Sequence, residues 1–281
     1  MRAAHPGGLA TELYAARGSR LAGRRARRRA GALGRTGRGA APPTGPRDGR
    51  PARRAVAAAW LRRALWTVAL TLTGGVSRSG RLPRGGCVVV ANHSSHADTA
   101  ALLAALDARH APLIGAAADY WFATPWRRRV CRRLAAGFPV RRTGGGLTDL
   151  LATAGELRAG RAVVLFPEGT RRGDGEDGEV GAFHRGALLL AERAGVPVVP
   201  VGIAGTDRLL PKHGRLRRSA VRVRIGEPLY GAVSPDRART AVAALTARAR
   251  GTGRGGRPPA VERGAVQGLR GRGGPGGGPG R

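Results

Sequence analysis

Two short polar segments of this sequence contain residue types suited to proton transfer and anion binding. In residues 92–98 (Asn-His-Ser-Ser-His-Ala-Asp), His93 lies five positions before Asp98. In residues 166–171 (Phe-Pro-Glu-Gly-Thr-Arg), acidic, small, hydroxyl and basic residues follow one another. Each segment follows an apolar run of the kind that forms a strand, and ligands of open α/β folds bind beyond the carboxyl ends of strands. Together the segments indicate a base with an orienting carboxylate and an anion-holding loop.

The spacing of His93 and Asp98 restricts how the two side chains can meet. Residues five apart on a continuous helix point about 140° away from each other, because each residue turns the helix by about 100°. They can meet if His93 lies in a loop and Asp98 lies in the first turn of the next helix, where the macrodipole favours an acidic residue. Asp98 would then fix the imidazole tautomer, and His93 would accept a proton from a hydroxyl. The alternative is a structural loop histidine beside a helix-capping aspartate.

The rest of the chain alternates between strand-like and helix-like segments that could position these residues. The strand-like runs are 87–91, 112–116, 137–141, 162–166, 198–203 and 221–225. The helix-like runs are 99–108, 147–158, 185–194 and 235–249. Such alternation predicts an α/β sheet flanked by helices.

Four blocks in this order, over roughly residues 85–230, resemble those of the glycerolipid acyltransferase family, which contains the 1-acylglycerol-3-phosphate acyltransferases. The blocks are 92–98, 138–142 (Phe-Pro-Val-Arg-Arg), 166–171 and 196–201 (Val-Pro-Val-Val-Pro-Val). Their order and spacing make the resemblance specific. It implies an α/β fold of the glycerolphosphate-acyltransferase type, with a mixed, mostly parallel sheet flanked by helices. The apolar pattern of residues 55–78, which the resemblance does not cover, adds an N-terminal amphipathic helix.

The resemblance also implies the residues of the site. The pair His93 and Asp98 matches the family's catalytic His-x4-Asp. The residues that match its substrate-binding positions are Arg142, Glu168, Gly169, Thr170 and Arg171. Two departures bear on which acceptor is bound: Arg141 stands where the family usually has an acidic or small residue, and His184 where it often has lysine.

The sequence contains no pattern typical of a metal or redox centre. The glycine-rich acidic loop at 173–181 lacks the spacing of a calcium loop. Cys87 and Cys131 fit no metal or redox spacing. We therefore expect no metal and no cofactor beyond the acyl donor as co-substrate, which is acyl-CoA or acyl-carrier protein.

The composition is strongly basic, and both ends of the chain are of low complexity. Of the 50 lysine and arginine residues only Lys212 is lysine, and the formal net charge is +33. Residues 1–54 and 251–281 lack apolar periodicity and are predicted to be disordered tails rich in Arg and Gly. An amphipathic membrane-interface helix is predicted at 55–78 and an acyltransferase domain at 79–250. No nucleic-acid motif accompanies the arginines, so no specific nucleic acid is expected.

Residues 55–77 are the membrane candidate. Arg62 and Arg63 interrupt the apolar run, which is costly in a spanning helix of about 20 apolar residues. A stripe at helical spacing is formed by Leu61, Leu65, Val68 and Leu72. It predicts a helix lying in the membrane interface, the alternative being a helix packed on the domain. The aromatic and arginine-rich segment 120–133 fits a lipid-facing surface or a hydrophobic helix with a solvated basic face.

Taken with the resemblance, these features predict an acyltransferase. It would move a fatty acyl group from an acyl thioester to the free hydroxyl of a lysophospholipid, with 1-acylglycerol-3-phosphate as acceptor and phosphatidic acid as product. Its partners would be membrane lipids and the acyl donor, and it would be peripheral at the cytoplasmic face of the plasma membrane. The alternatives are an acyltransferase for another lipid acceptor and a non-catalytic protein that binds a membrane surface or a polyanion.

Overall fold

The structure, a computed structural model, describes residues 49–169, 180–211 and 214–251. The tails predicted at 1–54 and 251–281 lie almost wholly outside these residues, as does most of the acidic loop at 173–181.

Seven strands and nine α-helices are found in the described part of the chain. The strands are β1 (Val76–Ser79), β2 (Cys87–Ala91), β3 (Leu113–Ala117), β4 (Gly137–Val140), β5 (Ala162–Leu165), β6 (Val198–Ala204) and β7 (Val221–Ile225). The helices are α1 (Arg53–Leu72), α2 (Ala97–Ala105), α3 (Ala118–Trp121), α4 (Pro125–Ala135), α5 (Gly146–Leu151), α6 (Ala154–Arg158), α7 (Gly186–Ala194), α8 (Thr206–Leu209) and α9 (Pro235–Gly251).

The strands form one sheet in the order β1-β7-β6-β2-β5-β3-β4. All neighbouring strands are parallel except β6 and β7, which are antiparallel. Five parallel strands therefore end at the same edge, and β7 and β1 run in the opposite direction. The predicted mixed, mostly parallel sheet flanked by helices is confirmed.

Helices cover both faces of the sheet because its central strands are apolar on both sides. All five residues of β2 are buried, as expected for a strand in a doubly covered parallel sheet. On one face, Val89 packs in a core cluster with residues of α2 and with Leu70 of α1. On the other face, Val88 and Val90 pack against residues of α5, α6, α7 and α9. The carboxyl end of β2 is thus held rigidly in the middle of three layers.

Most predicted elements differ from the observed ones by one to three residues at one or both ends, and two elements differ by more. The helix predicted at 147–158 is two helices, α5 and α6, separated by a turn in which the Thr153 hydroxyl donates to the Leu150 carbonyl at 2.7 Å. This local bond competes with the helical ladder. The interface helix predicted to reach residue 78 ends at Leu72, and the chain then enters β1.

Helix α1 is attached to the domain along its length. The Nε atoms of Arg62 and Arg63 donate to the carbonyls of Arg133 and Ala104 at 2.8 and 3.3 Å. The indole N–H of Trp66 donates to the Leu134 carbonyl at 2.9 Å. The two arginines that interrupt the apolar run therefore attach α1 to α4 and α2 by hydrogen bonds.

The predicted apolar stripe of α1 faces away from the domain. Leu61 and Leu72 at its ends are 73% and 70% exposed, and Leu65 and Val68 between them are exposed too. The packed face carries small residues such as Ala59. In the part of the chain that the structure describes, α1 is the one helix that is long and apolar enough to cross a membrane on length and composition alone.

Candidate active site

His93, in the loop after β2, is hydrogen-bonded to Asp98 in the first turn of α2. Asp98 Oδ2 lies 2.8 Å from His93 Nδ1. The same oxygen accepts the backbone N–H groups of Ser94 and Ser95 at 2.7 and 2.8 Å. A carboxylate only accepts, so Nδ1 is the donor of this bond, and in a neutral imidazole held this way the lone pair lies on Nε2. The loop-and-helix arrangement predicted from the spacing is present.

Burial divides this pair into an inner and an outer member. Asp98 is fully buried, whereas 20% of the His93 side chain is exposed. A buried carboxylate needs hydrogen bonds in place of water, and here three donors meet on one oxygen. Asp98 Oδ1 is buried without a partner among the described residues. His93 can therefore be reached by a substrate, while Asp98 acts only through it.

The ring of Phe166 covers one face of the imidazole. Phe166 directly follows β5, which lies next to β2 in the sheet. The two ring centroids are 4.1 Å apart and the planes meet at 19°. Packing of this kind locks a side-chain rotamer. The stack and the bond to Asp98 restrain His93 from two different directions.

Asn92 fixes the start of the loop to β6. Its Oδ1 accepts the Ile203 N–H at 2.8 Å, and its amide donates to the Ile203 carbonyl at 3.0 Å. The Thr246 hydroxyl donates to the same Oδ1 at 3.1 Å. No role was predicted for Asn92, because its partners lie 111 and 154 residues away in the chain. The available signal in the sequence was the position of Asn92, an amide residue directly after the apolar run 87–91.

Glu168 joins the loop that carries His93 to the segment before α7. Its Oε1 accepts the backbone N–H of His93 at 2.9 Å. Its Oε2 accepts the backbone N–H of Gly181 at 2.8 Å. Both oxygens of Glu168 accept main-chain donors, and its predicted place among the substrate-binding residues stays a prediction. The carboxylate thus holds the backbone of His93 in place through its N–H group.

Gly169 turns the chain after Glu168. Its φ is +72°, a left-handed conformation that favours glycine, and a Cβ there would come within 3.2 Å of His184 Nε2. The His184 N–H donates to the Pro167 carbonyl at 2.9 Å, which holds the turn against this segment. Thr170 and Arg171, the next two predicted site residues, lie outside the described residues.

Arg142 lies at the edge of the sheet rather than beside His93. It follows β4, which is three strand spacings, about 14 Å, from β2. Its guanidinium makes a two-point contact with Asp119 of α3, with Nε 3.1 Å from Oδ1. The hydrogen bond from Arg142 lowers the pKa of the Asp119 carboxyl and raises the pKa of Arg142 itself. An acceptor phosphate would have to exchange with Asp119.

The second histidine of the motif has a different environment. His96 is exposed, and its ring lies 6.2 Å from that of Tyr120 and 6.1 Å from that of Trp121. Its neighbours are thus the aromatic residues of α3. Within the described ranges, no group of three or more His, Cys, Asp or Glu side chains is placed to hold a metal ion.

The arrangement suits a general base that acts on an external hydroxyl. The nearby serines have other partners: Ser95 donates to the Leu210 carbonyl at 2.7 Å, and Ser94 Oγ lies 3.4 Å from Thr206 Oγ1. Neither serine lies on a nucleophile elbow of the Gly-x-Ser-x-Gly type. His93 is therefore placed to activate a substrate hydroxyl rather than a serine of the protein.

Comparison with known proteins gives a consistent result. The acyltransferase family model matches residues 75–204. The chain is 33% identical over 172 residues to a chloroplastic 1-acyl-sn-glycerol-3-phosphate acyltransferase of Brassica napus, covering 56% of this chain and 45% of that protein. It is 40% identical over 70 residues to the 1-acyl-sn-glycerol-3-phosphate acyltransferase of Saccharomyces cerevisiae, covering 25% of this chain and 23% of that protein.

A solved structure is similar over a longer stretch. The crystal structure of the 1-acyl-sn-glycerophosphate (LPA) acyltransferase PlsC from Thermotoga maritima superimposes with a TM-score of 0.55 at 27% identity. The match covers 70% of this chain and 80% of that one. With the plant and yeast relatives, in contrast, the chain spans less than half of their length.

Proposed function

We propose that this chain is a member of the glycerolipid acyltransferase family and that it moves a fatty acyl group from an acyl thioester to the free hydroxyl of a lysophospholipid. The acceptor is 1-acylglycerol-3-phosphate and the product phosphatidic acid. One observation carries this proposal: His93 is held as a base by Asp98 and Phe166 at the carboxyl end of the buried strand β2. The similarity to acyltransferases of 1-acylglycerol-3-phosphate supports the choice of acceptor.

The reaction needs one proton transfer in each direction. His93 Nε2 accepts the proton of the acceptor hydroxyl as the oxygen attacks the thioester carbonyl carbon. The carbon–sulfur bond then breaks, and the imidazolium returns the proton to the departing thiolate. Asp98 stabilises the imidazolium between these steps. No acyl group is attached to the protein at any stage, and no cofactor is required besides the donor thioester.

The acceptor phosphate is held on the β5 side of His93. Arg171, with Gly169 and Thr170, comes directly after the β5 turn, and guanidinium groups bind phosphate by charge-assisted hydrogen bonds. Arg142 joins this site only by leaving Asp119. Glu168 supports this site by accepting the main-chain N–H groups of His93 and Gly181.

The enzyme is peripheral, at the cytoplasmic face of the plasma membrane. The exposed stripe of α1 supports this, because apolar side chains facing away from the domain can enter the interface. Arg62 and Arg63 bind carbonyls of the domain, which keeps α1 alongside it. Neighbouring exposed aromatics such as Trp126 on α4 suit the headgroup level.

Product analysis tests the proposed function. Purified protein is incubated with an isotopically labelled acyl thioester and a mixture of lyso-lipids, and the products are identified by mass spectrometry. We expect label in phosphatidic acid. Label in another lipid would show that the acceptor is a different lyso-lipid, with acyl transfer as the reaction. The donors tested are both acyl-CoA and acyl-carrier protein. If folded protein labels no lipid with either donor, the proposal fails and the alternative of a non-catalytic binding protein stands.

A further inference from the structure

We propose that a groove of arginines on the β7 side of His93 binds the nucleotide phosphates of acyl-CoA, an inference that rests on the proposed acyltransferase function. The groove consists of two cavities of about 590 and 630 Å³ that share Arg208, Ser219 and Ala220 as lining residues. Five arginines line the arginine groove: Arg208, Arg217, Arg218, Arg222 and Arg250.

The arginine groove opens at the edge of the sheet where His93 lies. Strand β7 is antiparallel to β6, and Arg222 near its start pairs with Ala204, the last residue of β6. Strand β6 is the neighbour of β2, after which His93 follows. The start of β7 and the catalytic loop are therefore two strand spacings, about 10 Å, apart along this edge.

Helix α8 connects the groove physically to the catalytic loop. Thr206 Oγ1 lies 3.4 Å from Ser94 Oγ, and the Leu210 carbonyl accepts from Ser95 Oγ at 2.7 Å. Arg208, between these two residues, lines both cavities. A ligand bound by Arg208 is thus within reach of the loop that carries the base.

A close backbone approach forms the floor of the groove. Gly205, before α8, has a φ of +92°, and a Cβ there would lie 2.2 Å from the carbonyl oxygen of Ala220. Only glycine allows this contact. It brings α8 directly against the residues before β7, so that arginines from separate parts of the chain line one concave surface.

The charge of the groove is strongly positive. Asp207 is the one acidic residue among its lining residues in the described part of the chain. The ion pairs found among the described residues include none of Arg208, Arg217 and Arg218, whose side chains are exposed. Guanidinium groups match phosphate oxygens in bidentate geometry. A ligand with several phosphates fits this lining.

The geometry favours the nucleotide of acyl-CoA over a carrier protein. Cavities of several hundred Å³ are typical of small-molecule sites, whereas a protein partner covers about 800 Å² of surface on each side. In acyl-CoA, the pantetheine arm separates the nucleotide phosphates from the thioester. This arm would bridge the distance between the arginine groove, which holds the phosphates, and His93, where the thioester reacts. The acceptor phosphate is assigned to the β5 side, so the anionic ends of the two substrates lie on opposite sides of the base.

The test compares donors that share a thioester but differ in phosphates. Turnover is measured with acyl-CoA, acyl-pantetheine and acyl-carrier protein for the wild-type protein and for Arg217→Gln/Arg218→Gln, with Arg208→Gln as a second variant. We expect the KM for acyl-CoA to rise on the order of 10-fold or more, with the KM for acyl-pantetheine and the acceptor unchanged. The matched control is Arg193→Gln/Arg237→Gln, which removes two exposed arginines at the opposite edge of the sheet.

Binding of coenzyme A, measured by calorimetry without any acceptor, separates this proposal from the proposed function. Weaker binding in the groove variants than in the control supports the groove even if the wild-type protein transfers no acyl group. Equal coenzyme A binding in all variants overturns it, as does an equal loss of turnover with acyl-CoA and acyl-pantetheine. A loss confined to acyl-carrier protein also overturns it and identifies a protein-docking surface.

Discussion

One oxygen of Asp98 receives three N–H donors, so this side chain ties the base to the first turn of α2. Asparagine can keep an oxygen at that position, whereas alanine leaves the backbone N–H groups of Ser94 and Ser95 without an acceptor. We expect Asp98→Ala to lower the free energy of unfolding by about 2 kcal/mol or more, and Asp98→Asn to lower it by less. Urea denaturation followed by circular dichroism measures both, and equal losses would contradict the assigned network.

Glu168 distinguishes support of the base from binding of the acceptor. In Glu168→Gln, the new NH₂ group faces one of the two main-chain donors, so the link between His93 and Gly181 is broken on one side. We expect kcat to fall on the order of 10-fold, with the acceptor KM within about twofold of wild type. Glu156→Gln, which alters a surface pair with Arg161, should change neither. A raised acceptor KM at unchanged kcat would contradict this and indicate that Glu168 binds the acceptor directly.

The range of each contact decides which site residues could be predicted from the sequence. His93 and Asp98 are five residues apart, so their spacing and a loop-to-helix boundary were sufficient. The bond from Gly181 to Glu168 and that from Thr246 to Asn92 depend on tertiary packing. The pairing of Arg142 with Asp119 is likewise non-local, and a matching motif position does not reveal it.

At the scale of elements, the exposed stripe of α1 makes a prediction about membranes. Leu61→Glu/Leu72→Glu should weaken binding to anionic vesicles, because it places charges where apolar side chains enter the interface. The control is Leu147→Glu/Leu189→Glu, two exposed leucines on the helices of the other face of the sheet. Vesicle co-sedimentation measures the difference.

Fractionation of cell membranes tests whether α1 lies in the interface. High salt or alkaline carbonate should release the protein, and release by detergent alone would mean that α1 inserts deeply. Substitutions are better suited than truncation here, since deleting residues 1–78 removes Leu70 from the core and most of β1 from the sheet.

The two cysteines report on the packing of β2 and α4. Burial raises the pKa of the Cys87 thiol to about 12 and that of Cys131 to about 11. Both thiols therefore stay protonated in the folded state at pH 8, and the thiolate is the reactive form. We expect iodoacetamide to label neither cysteine until denaturant is added, as followed by mass spectrometry. Labelling of native Cys87 at the rate of a free thiol would contradict the burial of β2.

Whether a strand could be predicted from the sequence depends on how much of it is buried. The bounds of β2 and β7 agree with the predicted 87–91 and 221–225, because each is a run rich in β-branched residues. Strand β1 was not predicted: its sequence, Val-Ser-Arg-Ser, is mostly exposed, and its partner Val221 is far along the chain. An edge strand without an apolar run has no local signal.

For the whole molecule, the order of strands determines which residues share an edge, and the sequence does not reveal that order. Placing β6 between β7 and β2 brings the arginine groove close to His93, while β5 on the other side brings Phe166 and Glu168 to it. The net charge of +33 is visible in the sequence. The concentration of five arginines in one groove appears only when α8, β7 and α9 are assembled.

The rate of acyl transfer by His93→Ala, compared with His96→Ala, tests the central claim most directly. The two histidines lie three residues apart, and His93 Nδ1 lies 2.8 Å from Asp98 Oδ2, whereas the ring of His96 lies near those of Tyr120 and Trp121. The account predicts that His93→Ala loses turnover on the order of 10²-fold or more with an unchanged unfolding midpoint, while His96→Ala retains most of its activity. An active His93→Ala beside an inactive His96→Ala would contradict the assignment of the base.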